Sequence, residues 1–400
     1  MERIGGETMV LYSDLRERLE ISEAMRSINT LNGSFTTKVL GGAKYHYFQA
    51  TITGARRQFY IGPDTDEVRR LIATKEEGEK DARSDSLMLQ RLSAQIMAGG
   101  VPPVEPDMGR VINRLADCGV FRVGGIIVGT IAFRIIGTHI GVLWEGSSYT
   151  TQDVDLATDT GISLAVPDVQ ADVPAAIESL KMGFFPVPQL SHKEPSTSWA
   201  IRGKTLRLDL LTPLKRDQTA PVYIKRLNAA AQPLKYLGYL LESPINAVML
   251  AGTPCLVRIP QPARYALHKL IISGERWQTA ADKKRKDLRQ AHCLLSLLAE
   301  DRPGDIMLAW EALRLRGSGW VKKMIGGYGE ASGMFGSIAV VEGLIATSHD
   351  SESGISSGEP SRLPGRGADE SGQSRKMDLV ENSETSGGSR PVEATTPRIP

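Results

Sequence analysis

The amino-acid sequence predicts an α/β (α+β) protein built around a mixed sheet, and two observations support this fold class. In the central part of the chain, short alternating or β-branched runs interleave with segments whose apolar residues recur at three-and-four spacing. The first pattern is typical of strands and the second of helices, so helices are expected to cover a sheet. The length of 400 residues further suggests two or three domains.

Composition places the chain among ordinary globular proteins, with 41% hydrophobic residues and a formal net charge of +2. A nearly neutral chain gives no general indication of a nucleic-acid binder, although local basic clusters still can. The three cysteines, Cys118, Cys255 and Cys293, are far apart and form no CxxC pair. We therefore expect reduced thiols in a cytoplasmic protein, and neither a disulfide framework nor a zinc site.

The pattern changes along the chain and divides it into four regions. We expect an N-terminal accessory domain with a helix and a β-hairpin, a mixed-sheet core, a helical C-terminal domain and a disordered tail, over residues 1–100, 101–262, 263–345 and 346–400. The tail is rich in Ser, Gly, Glu, Pro and Arg and has no aromatic residue. Such a segment cannot bury enough apolar area to offset the entropy of ordering it.

The accessory domain contains an aromatic, β-branched run. Over residues 45–53 tyrosine and glutamine alternate with histidine and phenylalanine, and a turn at Thr53-Gly54 leads into a strand that ends at Pro63. With Arg56-Arg57, this hairpin could stack on nucleic acid, or it could be a hydrophobic sheet packed on its helix. It loosely resembles the small sheet in the arm-binding region of phage integrases, but the packed sheet is the interpretation we favour.

One apolar stretch, residues 124–144, is about as long as a transmembrane helix. It contains Arg134, His139 and several glycines, and an arginine near the middle of a span costs about 2.5–3.5 kcal/mol. We therefore expect no membrane span here. A buried strand, Phe121–Val128, running into a helix from about Ile131, is the better interpretation.

The strongest indication of chemistry is the segment Asp153-Val154-Asp155-Leu156. On a strand, residues i and i+2 lie on one face, so the two aspartates project together while Val154 and Leu156 enter the core. Two such carboxylates repel each other unless a positive charge lies between them. Oxygen-only ligands favour Mg²⁺ or Mn²⁺ over zinc. Taken alone, however, an acidic pair on a strand is more often a solvated edge.

A third carboxylate lies in another apolar strand, where Leu206, Leu208 and Leu210 alternate with Thr205, Arg207 and Asp209. A buried carboxylate without a partner is costly, so an aspartate at this position is informative. Three strand carboxylates can hold two metal ions about 3.5–4 Å apart, which stabilises both the attacking and the leaving oxygen of a displacement at phosphorus. Arg207 shares the face of Asp209 and can pair with it or with a phosphate.

A phosphate-binding turn is expected at Val128-Gly129-Thr130, between the predicted strand and the predicted helix. Gly129 lets the backbone approach a phosphate closely, and the helix N-terminus offers unpaired N–H groups. The Thr130 hydroxyl can contribute as well. By itself, a Gly-Thr pair before a helix is more often a plain turn with a cap.

Together these segments resemble the signature of the polymerase-beta-like nucleotidyltransferase superfamily. That signature has a Gly-Ser or Gly-Thr turn, an acidic pair on a strand and a lone Asp on a later strand, which match residues 128–130, 151–156 and 208–210. More narrowly, VGTIAF at residues 128–133 resembles a bacterial nucleotidyltransferase-like family. Segments like RYALHKL (264–270) and KDLRQA (286–291) are also typical of that family. The resemblance covers about residues 40–300.

The resemblance implies a metal-dependent enzyme that moves a nucleoside monophosphate from an NTP, such as ATP, to a hydroxyl and releases pyrophosphate. Asp153 and Asp155 would bind Mg²⁺ (or Mn²⁺), and Asp209 would complete the metal site and orient or deprotonate the acceptor hydroxyl. Gly129 and Thr130 would hold the triphosphate. The acceptor would be an RNA or a protein, in a toxin–antitoxin or phage-defence setting, which implies a toxin–antitoxin partner.

The sequence departs from the superfamily pattern in the gap between Gly129 and Asp153, which is longer than in the minimal motif. We expect residues 137–149 either to loop out or to extend the helix. This insertion affects the shape expected for the nucleotide pocket.

Basic residues cluster between positions 268 and 289, and most of them are expected on the solvated faces of two helices. His268-Lys269 is the exception, because this pair sits in an otherwise apolar helix. We assign both, with Arg207, to nucleotide binding. The alternative function is a non-catalytic nucleic-acid-binding module on a degenerate nucleotidyltransferase fold, and a test of nucleotide transfer separates the two.

Overall fold

The computed structural model describes residues 1–29, 33–52, 55–145, 153–159, 171–191, 193–216, 218–275 and 281–353. Residues 1–350 form one compact unit. The predicted turn at Thr53-Gly54, the first two residues of the motif at 151–156 and most of the predicted tail, 354–400, lie outside the described residues.

The N-terminal region consists of two long helices and a three-stranded antiparallel sheet. Its elements are β1 (Glu2–Arg3), α1 (Gly6–Asn29), β2 (Gly33–Leu40), β3 (Ala43–Ile52), β4 (Ala55–Pro63) and α2 (Asp66–Ala98). The side chain of Thr65 caps α2 by accepting a hydrogen bond from the N–H of Val68. The predicted hairpin is confirmed as β3 and β4, but β2 was not predicted. The charged segment that follows the sheet forms the single helix α2.

The central region confirms the predicted mixed α/β architecture. Its elements are α3 (Pro106–Asp117), β5 (Ile126–Val128), α4 (Gly129–His139), β6 (Val142–Leu143), β7 (Asp153–Ala157), α5 (Val173–Ser179), β8 (Phe184–Pro186), β9 (Ser198–Ile201), β10 (Arg207–Pro213), β11 (Val222–Ile224), β12 (Ala229–Leu234), α6 (Leu237–Leu240), β13 (Ile245–Met249) and β14 (Cys255–Ile259).

Seven of these strands form one mixed sheet. The order β11-β12-β10-β7-β5 runs across it, and β8 and β9 extend it beside β10. Strand β10 is parallel to β7 and β12, whereas β9 pairs with β10 in the antiparallel sense, as does β5 with β7. The apolar residues of β7 and β10, Val154, Leu156, Leu208 and Leu210, are at most 1% exposed. Their burial fixes the opposite, polar faces of both strands toward one side.

The predicted strand Phe121–Val128 is wrong in its first half. Residues 118–124 form turns, and the strand begins only at Ile126. Gly119 and Gly124 have φ angles of +87° and +97°, which no extended strand contains. The helix that follows is confirmed as α4, which begins at Gly129 and ends at His139, so it takes in the first three residues of the expected insertion. Residues 146–149 of the insertion lie outside the described residues. Part of that insertion forms β6, which pairs with β1.

Five helices complete the described chain: α7 (Pro262–Ser273), α8 (Ala281–Asp301), α9 (Pro303–Arg314), α10 (Ser318–Phe335) and α11 (Ala339–Ser353). Helix α11 continues past position 346, where the tail was expected to begin. Helix α10 lies against α7 so closely that a Cβ on Gly327 would overlap the backbone of Leu270. None of the helices in the described ranges combines the length and apolar character that a bilayer span requires.

Candidate active site

The acidic residues lie on two neighbouring parallel strands. In the register of β7 and β10, Asp209 stands directly opposite Asp155, and Arg207 stands opposite Asp153. Neighbouring strands are about 4.8 Å apart, and residues paired in a parallel register project to the same face. The sheet therefore brings the three aspartates together, with one arginine among them.

The N-terminus of α4 adjoins this acidic group. Strand β5 pairs with β7 so that Val128 stands opposite Asp155, and α4 begins at the next residue, Gly129. Gly129 has a φ of +67°, and a Cβ at this position would overlap the Oδ2 atom of Asp155. Only glycine allows the first turn of α4 to approach the carboxylate so closely. The preceding residue, Val128, gives this turn no side-chain cap.

Helix α7 holds the same turn from a second side. The Tyr265 hydroxyl donates a hydrogen bond to the Gly129 carbonyl at 2.9 Å. Lys269 lies one helical turn after Tyr265 and therefore on the same face of α7. Its ammonium group donates to Asp287 Oδ1 on α8 at 2.6 Å, and these two side chains are only 9% and 4% exposed. A buried ion pair thus links two helices beside the acidic strands.

Burial and mutual repulsion raise the pKa values of two carboxyls. The pKa of Asp155 is raised to about 6, mainly by burial and then by the negative charge of Asp209. Lys269 lowers it in part. The pKa of Asp153 is also raised, by burial first and by Asp209 second. This concentration of negative charge is the electrostatic environment that a bound cation relieves.

Two further lysines of α8 act on the acidic residues. The positive charges of Lys283 and Lys286 lower the pKa of Asp153, against the effect of burial. The pKa of Lys286 is itself lowered, by burial first and then by the like charge of Lys269. Lysines therefore border the acidic group on the helical side, which gives the pocket both signs of charge.

Arg207 and Ser198 hold Asp209 in its present position. Arg207 Nε donates to Asp209 Oδ1 at 2.7 Å, and the Ser198 hydroxyl donates to the same oxygen. Arg207 Nη2 also donates to the Ser198 hydroxyl oxygen at 2.9 Å. Within the described residues, no three or more His, Cys, Asp or Glu side chains are arranged as a ready-made metal site. Carboxylate oxygens on adjacent strands nevertheless suit a hard cation such as Mg²⁺ or Mn²⁺.

Most of the residues that the sequence analysis singled out lie in this one pocket. Asp153, Asp155, Asp209 and Arg207 share a sheet face, and Gly129 and Lys269 border it. Thr130 occupies the first turn of α4. His268 is 6% exposed, and it lies about 100° around α7 from Lys269, so its role in nucleotide binding stays a prediction.

Sequence reasoning missed three contributors, Tyr265, Asp287 and Ser198. Tyr265 could have been found from its spacing of four residues before Lys269, which places both on one helix face. Asp287 sits within the segment KDLRQA, but nothing along the chain indicates that it pairs with a lysine 18 residues earlier.

An α/β sheet that gathers carboxylates beside a glycine-led helix and a group of lysines defines a pocket for an anionic, metal-associated ligand. A family model described as nucleotidyltransferase matches residues 106–314, more than half of the chain. The chain therefore belongs to this nucleotidyltransferase family. No curated protein and no solved structure shows significant similarity to it. The matched range contains all the pocket residues described above and leaves β2, β3, β4 and α2 outside.

Proposed function

We propose that this chain is a metal-dependent nucleotidyltransferase of the polymerase-beta-like superfamily. It transfers a nucleoside monophosphate from an NTP to a hydroxyl of an RNA or protein acceptor and releases pyrophosphate. The observation that carries the proposal is the register of β7 and β10, which sets Asp209 opposite Asp155 and two residues from Asp153. The family match supports nucleotide transfer in general, and the metal, the donor and the acceptor belong to the proposal.

In this proposal, Asp153, Asp155 and Asp209 hold Mg²⁺ or Mn²⁺. A metal bound there would supply positive charge for the attacking and leaving oxygens during displacement at phosphorus. The raised pKa values of Asp153 and Asp155 support this role, because a cation replaces the protons that burial and repulsion otherwise favour.

The first turn of α4 and the lysines bind the phosphates. The uncapped N–H groups after Gly129 and the hydroxyl of Thr130 can donate to a phosphate close to Asp155. Lys269 and Lys286 add positive charge from the helical side. Gly129 and Lys269 are held by buried contacts with Tyr265 and Asp287, so they are oriented before substrate binds. Such orientation is the main protein contribution to this chemistry.

Arg207 and Asp209 exchange partners when substrate binds. Their present ion pair occupies one oxygen of Asp209, and Arg207 is 45% exposed at its side chain. The exposed guanidinium can turn to a phosphate, and the freed carboxylate then serves the metal and the acceptor hydroxyl. Asp209 thereby orients or deprotonates that hydroxyl. The cytoplasmic, toxin–antitoxin or phage-defence setting stays a prediction.

A labelling experiment tests the proposed activity. The full chain is incubated with each labelled NTP, Mg²⁺ and cell extract, and the extract is then resolved to find a labelled RNA or protein. Asp153→Asn is expected to lower labelling at least about a hundredfold, because removing one charge-stabilising group costs about 10²–10³ in rate. Asp107→Asn, which removes an exposed aspartate paired with Lys204, is the matched control and keeps the activity.

Absence of label with every NTP, in Mg²⁺ and in Mn²⁺, would refute the enzyme. Nucleic-acid binding that persists in Asp153→Asn without any turnover would then favour the non-catalytic module.

A further inference from the structure

The sheet formed by β2, β3 and β4 has one closed face and one open face. On the closed face Phe48 is 6% exposed and His46 is 7% exposed. His46 Nδ1 and the Thr37 hydroxyl lie 3.1 Å apart, and His46 Nε2 lies 2.9 Å from Asp64 Oδ1, just before α2. A Cβ on Gly62, which pairs with His46, would lie 3.4 Å from Val68 of α2, so this face of the sheet is directed toward the helix, as expected. The alternate residues of β3 point the other way.

The open face presents three tyrosines, of which Tyr60 contacts the other two. Tyr47 stands opposite Tyr60 in the β3–β4 register, and their ring centroids are 5.4 Å apart. The rings of Tyr45 and Tyr60 lie 6.3 Å apart. Tyr60 remains 57% exposed although two other rings lie beside it. These rings form an aromatic surface, called here the tyrosine face, with room for a further planar group.

The charge of this sheet has one sign. Residues 33–63 contain four basic residues, Lys38, Lys44, Arg56 and Arg57, and no aspartate or glutamate. Lys38 stands opposite Tyr45 and shares the face of the tyrosines, whereas Lys44 lies on the face of His46. Lys38 places its ammonium 4.8 Å from the centre of the Tyr47 ring and donates to Gln58 at 2.8 Å. A cation held beside aromatic rings suits a ligand that has both planar bases and phosphates.

The sheet and the central region meet opposite ends of helix α2. Leu92 and Ile96 of α2 are buried with Tyr12 and Leu15 of α1 against Val248 and Leu250. The sheet joins α2 at the other end of that helix, where Asp66 is 26 residues from Leu92. At 1.5 Å per residue this is about 40 Å along the helix axis. Helices α1 and α2 therefore connect the sheet to the central region, and the sheet lies outside the residues of the family match.

We propose that the tyrosine face binds single-stranded nucleic acid, with bases stacking on Tyr45, Tyr47 and Tyr60 and a phosphate contacting Lys38. Stacking on aromatic side chains is available to any base, so the contact tolerates many sequences. A duplex keeps its bases stacked on one another and is the poorer ligand. The inference does not depend on nucleotide transfer, because it needs neither NTP nor metal.

Binding of short labelled strands tests the inference directly. The full chain in EDTA is titrated into fluorescein-labelled oligo-U RNA, oligo-dT DNA and a duplex DNA of equal length, and anisotropy is followed at several salt concentrations. We expect a single strand to bind more tightly than the duplex, and the RNA and DNA titrations to identify the preferred strand. Tyr60→Ala should weaken binding about tenfold, since stacking on one aromatic ring contributes on this scale.

Matched variants separate stacking from general effects. Tyr60→Phe keeps the ring and should bind within about twofold of the unmodified chain. Tyr223→Ala removes a tyrosine of similar exposure, 60%, from β11 and should not change binding. Lys38→Gln should reduce the dependence of log affinity on log salt by about 0.7, the value for one phosphate of a single strand.

Three results would overturn the inference: no binding of either single strand at low salt, equal binding by Tyr60→Ala and Tyr223→Ala, or a duplex bound more tightly than both strands. Tyr60→Phe and Lys38→Gln keep the test decisive if Tyr60→Ala is unstable.

Discussion

Lys269 and Asp287 form a buried ion pair, 2.6 Å long, whose lysine also lowers the pKa of Asp155 on β7. One side chain thus joins α7 to α8 and acts on the acidic strand. Structural and functional effects of Lys269 are therefore expected to appear together, and a double variant can separate them.

Lys269→Met should lower the free energy of unfolding by about 3–5 kcal/mol, because it leaves the charge of Asp287 buried without its counterion. Lys269→Met/Asp287→Leu should recover most of this stability, since an apolar pair of similar volume avoids the desolvation cost. Urea unfolding measures both. If the double variant is as unstable as the single one, the ion pair is not the source of the loss.

The stable double variant should still transfer no nucleotide, and full activity in it would exclude Lys269 from phosphate binding.

Gly129→Ala should lower the free energy of unfolding by more than the positive φ alone would, because the new Cβ would overlap Asp155 Oδ2. The matched control is Gly203→Ala in the β9–β10 turn, where φ is +74° and the added methyl meets nothing within 4 Å. Gly203→Ala should lower the free energy of unfolding by about 1 kcal/mol and retain activity. Gly129→Ala should lower it by at least twice as much and lose activity. Equal losses of stability in the two variants would show that the approach to Asp155 is unimportant.

Asp155→Asn should stabilise the metal-free chain at neutral pH. The carboxyl has a folded-state pKa of about 6, above its ordinary value, so the folded state keeps the proton that the unfolded chain loses from about pH 4 upward. Stability therefore falls as pH rises from about 4 to 6, and the full cost of about 3 kcal/mol is present above pH 6. Unfolding in EDTA across pH 4–7.5 should show the variant more stable at pH 7.5 and equal at pH 4. Parallel pH profiles would contradict this expectation.

Mg²⁺ or Mn²⁺ should raise the melting temperature of the unmodified chain by a few degrees. A ligand at a hundred times its Kd adds about 2.7 kcal/mol to the stability of a state that alone binds it. Asp153→Asn and Asp209→Asn should lose this shift, while Asp107→Asn should retain it. A shift of equal size in all four proteins would place the metal elsewhere.

The sequence predicts the local parts of the pocket well, because they depend on periodicity. Alternating leucines indicate β10, and the acidic pair with buried neighbours indicates β7. The relative register of the two strands depends on the folded core, and no pattern along the chain specifies it. The same holds for Lys286, which reaches the acidic residues only because α8 packs on α7.

Elements with weak periodicity were missed for a related reason. Strand β12, AAAQPL, is a short apolar run that fits a helix as well as a strand. Strand β2, GSFTTKVL, contains glycine and serine beside its β-branched residues, and no pattern along the chain specifies its pairing with β3. The sequence indicates the tyrosines as part of an aromatic run. Which face of the sheet is open follows only from the burial of His46 and Phe48 on the other face.

The pairing of β7 with β10 also protects against misalignment. A shift of one residue between them would turn Leu208 and Leu210 toward water and the aspartate between them into the apolar interior. Exposing the leucines and burying the aspartate would both destabilise the fold. The apolar core therefore favours the one register that places the aspartates together. Smaller apolar residues at Leu208 and Leu210 should therefore loosen the alignment of the aspartates on β7 and β10 before the chain unfolds.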